Sequence, residues 1–171
     1  MQLLLLLMHE QKERQSMAKI SRATEIDAPV EEVYAFMTNP ENLPEIWPSM
    51  VEVSNVQRSD DGGHSFDWVY KMAGIRFEGH ADTTEVEKNR RVVTKNATGI
   101  PSTFVYGYEG VGKKTRFKME VDYTMPSKLL SKVADPFLRK LNEHEADAII
   151  SNLKARMELG EKAQPETQPH A

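Results

Sequence analysis

One long amphipathic stretch near the end of the chain follows little but short alternating segments, and it limits the available folds more than any other feature. From Phe137 the apolar residues Phe137, Leu138, Leu141, Ala148, Ile149 and Leu153 recur at spacings of three, four and seven, which is helical periodicity. Ser127 is placed to cap the start and Gly160 to cap the end. Asp135-Pro136 reads as an N-cap followed by proline at the first helical position. The spacing therefore predicts a short helix over 127–134, a kink, and a main helix over 135–159. At ~1.5 Å per residue the main helix spans roughly 35 Å, about the width of a small domain. A helix that long needs a broad apolar surface to lie in, and only the preceding strands can supply one.

Those strands read in order. Residues 19–27 alternate around Ile20 and Ile26 until Ala28-Pro29. Val30, Val33, Tyr34 and Met37 then repeat at helical spacing. Asn39-Pro40 breaks that helix, and 40–46 forms another turn or two before Trp47-Pro48. Six strands follow. The first, 50–58, runs through Val51, Val53 and, less regularly, Val56, and ends at the hairpin signal Asp60-Asp61-Gly62-Gly63. Strand 64–72 sets Phe66, Trp68, Tyr70 and Met72 on one face. Strand 75–87 opposes Phe77, Gly79 and Ala81 to Arg76, Glu78, His80 and Asp82. Strands over 91–98, 102–109 and 113–123 complete the set, the last with Thr115, Phe117, Met119, Val121 and Tyr123 on one face. Short connections make neighbours antiparallel. One polar and one apolar face per strand describes a sheet wet on one side. The expectation is an α+β domain: a curved seven-stranded antiparallel sheet wrapped around a long C-terminal helix, with two short helices after the first strand.

Composition excludes several classes. The 171 residues suffice for one domain with a core, which is placed at 17–160. Net charge is −4 with charges dispersed, so no basic block points to nucleic acid. The chain has no cysteine, which removes disulfides and thiolate metal sites and suits a reducing cytoplasm. Leu3–Leu7 is apolar but far short of the ~20 residues that cross a bilayer, and stable membrane insertion is not expected. Residues 1–16 read as a poorly ordered or helical extension, as a stretch preceding a natural start at Met17, or as a weak membrane-touching arm. Residues 161–171 read as a disordered tail.

Several segments carry a family likeness. They are Ile26-Asp27-Ala28-Pro29-Val30-Glu31-Glu32-Val33-Tyr34, Asn39-Pro40-Glu41-Asn42-Leu43-Pro44-Glu45-Ile46-Trp47-Pro48, Tyr70-Lys71-Met72-Ala73-Gly74 with Phe77-Glu78-Gly79, and Asn152-Leu153-Lys154. Over about 20–158 the chain resembles the START-like (SRPBCC) superfamily, and within it the polyketide cyclase/dehydrase-type group. The resemblance implies a helix-grip fold with a cavity between the long helix and the concave sheet face. Projecting into that cavity would be Trp68, Tyr70, Phe77, Tyr106, Phe117 and Met119 from the strands and Phe137, Leu141, Glu145 and Ala148 from the helix, with Trp47 at the mouth. The strand members rest on alternation, so a one-residue slip would turn them to the other face.

Glu145 and Asn152 lie seven apart on one helical face, near the middle of the apolar stripe. A carboxylate there is costly to bury without a partner. It reads either as a general base or ligand-binding group, or as half of a structural bond to a strand Tyr or Arg. Glu145, Tyr106 and His144 are the candidate catalytic groups. The five histidines fall at no metal spacing, no glycine loop cradles a phosphate, and no cofactor is expected. The aromatic set reads as ordinary core or as a ring-lined pocket; a solid core with no cavity above ~300 Å³, the lower end for ligand pockets, would count against ligand binding. Three functions stay open. One is binding of a hydrophobic or amphipathic small molecule (a lipid, isoprenoid, quinone or aromatic polyketide). Another is a cyclase or dehydratase using acid–base groups in the cavity. The third is an interaction module, marked by an exposed apolar patch. A homodimer is left open as a partner.

Overall fold

The structure, a computed structural model, describes residues 1–162. Helix α1 (Gln2–Ser16) leads into strand β1 (Met17–Ile26). Helix α2 (Val30–Met37), a 3-10 turn (Pro40–Asn42) and helix α3 (Leu43–Ile46) form the crossover. Six strands follow: β2 (Met50–Arg58), β3 (His64–Met72), β4 (Ile75–Glu87), β5 (Arg91–Asn96), β6 (Ser102–Val111) and β7 (Lys114–Thr124). Helices α4 (Ser127–Leu130) and α5 (Asp135–Lys162) close the described chain. Of the tail placed at 161–171, residues 163–171 lie outside the described residues.

The seven strands form one antiparallel sheet in the order β1-β7-β6-β5-β4-β3-β2. β1 and β2, consecutive in sequence, therefore sit at opposite edges, and β1 pairs with the last strand from Met17↔Thr124 to Ile26↔Thr115. Turn chemistry fixes the hairpins. Ala73 (φ 49°) and Gly74 (φ 77°) are both left-handed, as a tight two-residue hairpin requires. The hairpin after β2 is closed by Ser59 N–H donating to the Gly63 carbonyl at 3.0 Å.

Alternation holds on β3, where Phe66, Trp68, Tyr70 and Met72 are all buried. It fails on β2. Register shifts between Met50/Glu52 and Ser54/Gln57, with Asn55 at φ 51°, bend this edge strand. Bulges change the facing of what flanks them, so Met50 is buried while Val51, expected inward, is 57% exposed.

The long helix lies along β1. Arg22 pairs with Asp147 at 2.6 Å, Lys154 Nζ donates to the Glu25 carbonyl at 2.7 Å, and Asp27 N–H donates to Glu158 at 3.1 Å. Its ends differ from expectation. α4 is capped by Pro126, with Ser127 the first helical residue and no side-chain cap. Asp135 is likewise inside the helix, where its carboxylate pairs with Arg139 one turn on at 3.1 Å. Gly160 does not stop α5, which continues to Lys162.

The buried stripe of α5 is Leu138, Asn142, Ala146, Ile149, Leu153 and Met157, with Ile150 beside it. Of the stripe expected at Phe137, Leu138, Leu141, Ala148, Ile149 and Leu153, it keeps Leu138, Ile149 and Leu153 and is turned away from Phe137, Leu141 and Ala148. Phe137 is 59% exposed, and Leu141 and Ala148 are only partly buried. The kink sets this rotation: α4 seats Leu129 fully in the core, and α5 then restarts with Leu138, not Phe137, under the sheet.

Candidate functional site

Between the concave sheet face, α3 and α5 lies a cavity of about 120 Å³; with its mouth the empty space is about 920 Å³. Its walls are mostly apolar, with rings from Trp47, Phe66, Trp68, Tyr70, Phe104 and Tyr106. Met50, Met72, Met119 and Met125 also line it.

Each ring is held. Trp68 lies over a floor without side chains: a Cβ on Gly79 would stand 2.3 Å from its Cζ2, and one on Gly99 2.7 Å from its Cη2. Its indole N–H donates to Asn96 Oδ1 at 2.8 Å, Asn96 donates to Ser102 Oγ at 2.9 Å, and that hydroxyl donates to the Ile100 carbonyl at 3.0 Å. The β5–β6 turn thereby fixes the indole. Trp47, where the chain leaves α3, packs edge-on against Tyr70 and Phe104 with centroids 6.4 and 5.2 Å away, a favoured geometry for aromatic pairs.

Two polar points interrupt the apolar wall. At the first, Glu145 Oε1 accepts the Ser49 backbone N–H at 2.8 Å and, at 3.4 Å, the Tyr70 hydroxyl. Burial, then the charge of Glu145, pushes the Tyr70 phenol well above its ordinary value, so Tyr70 stays a neutral donor. At the second, Asn142 Nδ2 donates to the Tyr123 hydroxyl at 2.8 Å. Burial raises the Tyr106 phenol as well.

The structure thus gathers Trp47, Trp68, Tyr70, Tyr106, Met119 and Glu145 in the cavity wall. Phe77, across from Tyr70, and Phe117 are buried but do not line it. Phe117 instead packs between Tyr106 and Tyr108 in the adjoining core. Phe137, Leu141 and Ala148 stand off the lining, and His144 is exposed, because of the helix rotation described above. Asn152 donates to the Ile46 carbonyl at 3.0 Å, tying α5 to α3. Sequence reading missed Asn142, Asn96 and Phe104. Asn142 sits four residues after Leu138 and seven before Ile149, but a polar residue does not register in an apolar stripe. Among the described residues no three His, Asp or Glu side chains converge as metal ligands, and no helix is long and apolar enough to cross a membrane.

An antiparallel sheet gripping a long C-terminal helix over an apolar cavity is the START-like helix-grip fold. The sequence model of the family described as polyketide cyclase/dehydrase and lipid transport matches residues 17–158, and the chain belongs to that family. Solved structures agree on the fold. A protein of Thermus thermophilus superposes with a TM-score of 0.72 at 16% identity, over 85% of this chain and 100% of that one. A START superfamily protein from Mycobacterium smegmatis gives 0.69 at 16%, over 82% and 97%. The Zhui aromatase/cyclase from Streptomyces sp. R1128 gives 0.71 at 12%, over 86% and 97%. No curated protein sequence matches the chain.

Proposed function

We propose that this protein binds a hydrophobic or amphipathic small molecule, of the lipid, isoprenoid, quinone or aromatic polyketide kind, between sheet and α5. The observation that carries the reading is the apolar, ring-lined cavity interrupted by only a few oriented polar groups, the usual make-up of a small-molecule site. Family membership supports it.

The cavity of about 120 Å³ is smaller than the ~300 Å³ expected of a ligand pocket. A dry cavity of ~150 Å³ accepts benzene, so this conformation has room for a short chain end and falls short of a full ring. A longer ligand inserts one end and displaces wall side chains. Four of these are methionines, whose unbranched side chains re-pack readily.

Native mass spectrometry of the protein from its own host, followed by organic extraction, tests the reading. A bound hydrophobic species is the expected result. An empty protein that also leaves a fluorescent naphthalene probe unbound overturns it.

A second reading, acid–base catalysis as a cyclase or dehydratase, draws on the Tyr70–Glu145 pair in a mostly apolar wall. Under it, Glu145→Gln abolishes turnover of an aromatic polyketide while the fold survives. Unchanged turnover removes Glu145 from the chemistry.

A further inference from the structure

Beside the cavity lies a second, much smaller chamber of about 20 Å³, whose lining includes His64, Tyr108, Thr38 and Thr94. Leu43, Phe66, Thr94 and Tyr106 line both spaces, so the two adjoin. His64 is 9% exposed and Tyr108 5%. The Nδ1 of His64 and the hydroxyl of Tyr108 are each buried without a hydrogen-bond partner. Leaving such a group unpaired costs about 1–3 kcal/mol, and native interiors leave few so. Two residues that carry such groups line one chamber, which marks it as a place for a polar guest.

We propose that this chamber binds a single hydroxyl oxygen, supplied by a water molecule or by the inner end of a ligand lying in the adjoining cavity. The ligand source rests on the binding reading above; the water source does not.

Size and chemistry select the guest. A water needs roughly 10–15 Å³ of such space and two to four polar partners; the chamber holds one and not two. Burial holds His64 below the usual imidazole value, with the charge of Arg58 adding to the effect, which favours the neutral ring. Its Nδ1 is then a donor in one tautomer and an acceptor in the other, and the Tyr108 hydroxyl can act either way. Only a group that both donates and accepts satisfies the pair in either arrangement, which favours a hydroxyl over a carbonyl or an ammonium.

The test uses the whole protein with phenol and toluene as probes of near-equal size. Water-to-protein nuclear Overhauser effects on Tyr108 and Thr94 protons are recorded free and with each probe saturating. Affinities for both probes are measured by calorimetry in the wild type and in Tyr108→Phe. Water effects that vanish with phenol but persist with toluene support both sources. In that case the phenol-to-toluene affinity ratio falls about tenfold in Tyr108→Phe, the value of one hydrogen bond. Water effects that persist with phenol support water as the occupant. No water effects together with an unchanged affinity ratio in Tyr108→Phe overturns the proposal. Failure of both probes to bind overturns the ligand source, and the water effects in the free protein then decide the chamber alone; the binding reading itself is decided separately by the extraction and naphthalene-probe experiment.

Discussion

Glu145 of α5 and Ser49, just ahead of β2, are joined by a 2.8 Å hydrogen bond from the Ser49 backbone to the carboxylate. This bond ties the long helix to the segment that leads into β2, beside the cavity. It makes Glu145 a structural latch as well as a polar point facing the cavity. Replacing Glu145 with Ala strands the Ser49 N–H and should cost about 1–2 kcal/mol. Glu145→Gln keeps an acceptor and should cost less than about 1 kcal/mol. Urea unfolding of both variants, with amide exchange at Ser49, checks the pair.

The rotated face of α5 makes a sharp contrast between neighbours. Leu138 and Leu153 are fully buried, so truncating either to Ala should cost about 2–5 kcal/mol. Phe137→Ala, at an exposed position, should stay within about 0.5 kcal/mol. Equal losses at Phe137 and Leu138 in thermal unfolding would contradict the observed face.

Gly79 is required by what lies on it. Gly79→Ala would put its Cβ 2.3 Å from Trp68 Cζ2 and 2.6 Å from the Thr98 carbonyl oxygen. The indole must then move, straining its bond to Asn96, with a cost of about 1–3 kcal/mol from overpacking. A shift in tryptophan emission alongside a lower Tm is the expected outcome. An unchanged spectrum would mean Trp68 is not seated on that glycine.

On the outer sheet face His80 is flanked by Asp67 at 2.6 Å and Asp82 at 3.3 Å. The hydrogen bond to Asp67, followed by the charge of Asp82, raises the imidazole above its usual 6.5. The folded state thus holds the proton more tightly than the unfolded one. The stabilisation is fully present below about pH 6.5 and is lost as pH rises through the folded value. His64 behaves oppositely, since burial lowers its value and disfavours the folded state as pH falls below 6.5. Unfolding of His80→Gln against wild type across roughly pH 5–9 should show a gap that narrows with rising pH. Because the His80 side chain is 44% exposed, the gap should be small and shrink further with salt.

Sheet and helix were legible in the sequence wherever two local signals agreed. β3 and β4 begin and end where expected, because alternation runs unbroken and turn residues such as Ala73-Gly74 bracket it. Neither signal existed for the face of α5. Phe137 outweighs Asn142 in any reading of apolarity, yet Asn142 is buried on Tyr123 and Phe137 is not. The second bulge of β2 showed only as the break in alternation between Val53 and Val56, where Asn55 takes a left-handed conformation, and the first, at Met50/Glu52, left no mark. Cavity members on long regular strands, such as Trp68 and Met119, were readable. Phe77 and Phe117 share the buried face but lie beyond the cavity's edges, which depends on sheet curvature that no local pattern encodes.

The pairing of β1 with β7 carries a consequence for how the protein is made. At ~5–20 residues per second, roughly 5–20 s separate the emergence of Met17 from that of its partner Thr124. Throughout that interval β1 has no neighbour, while β2 to β6 can already zip into successive hairpins. A nascent chain stalled before β7 therefore presents an unsatisfied strand next to an uncovered apolar sheet, and the ribosome releases this fold to safety only with its final strand and helix.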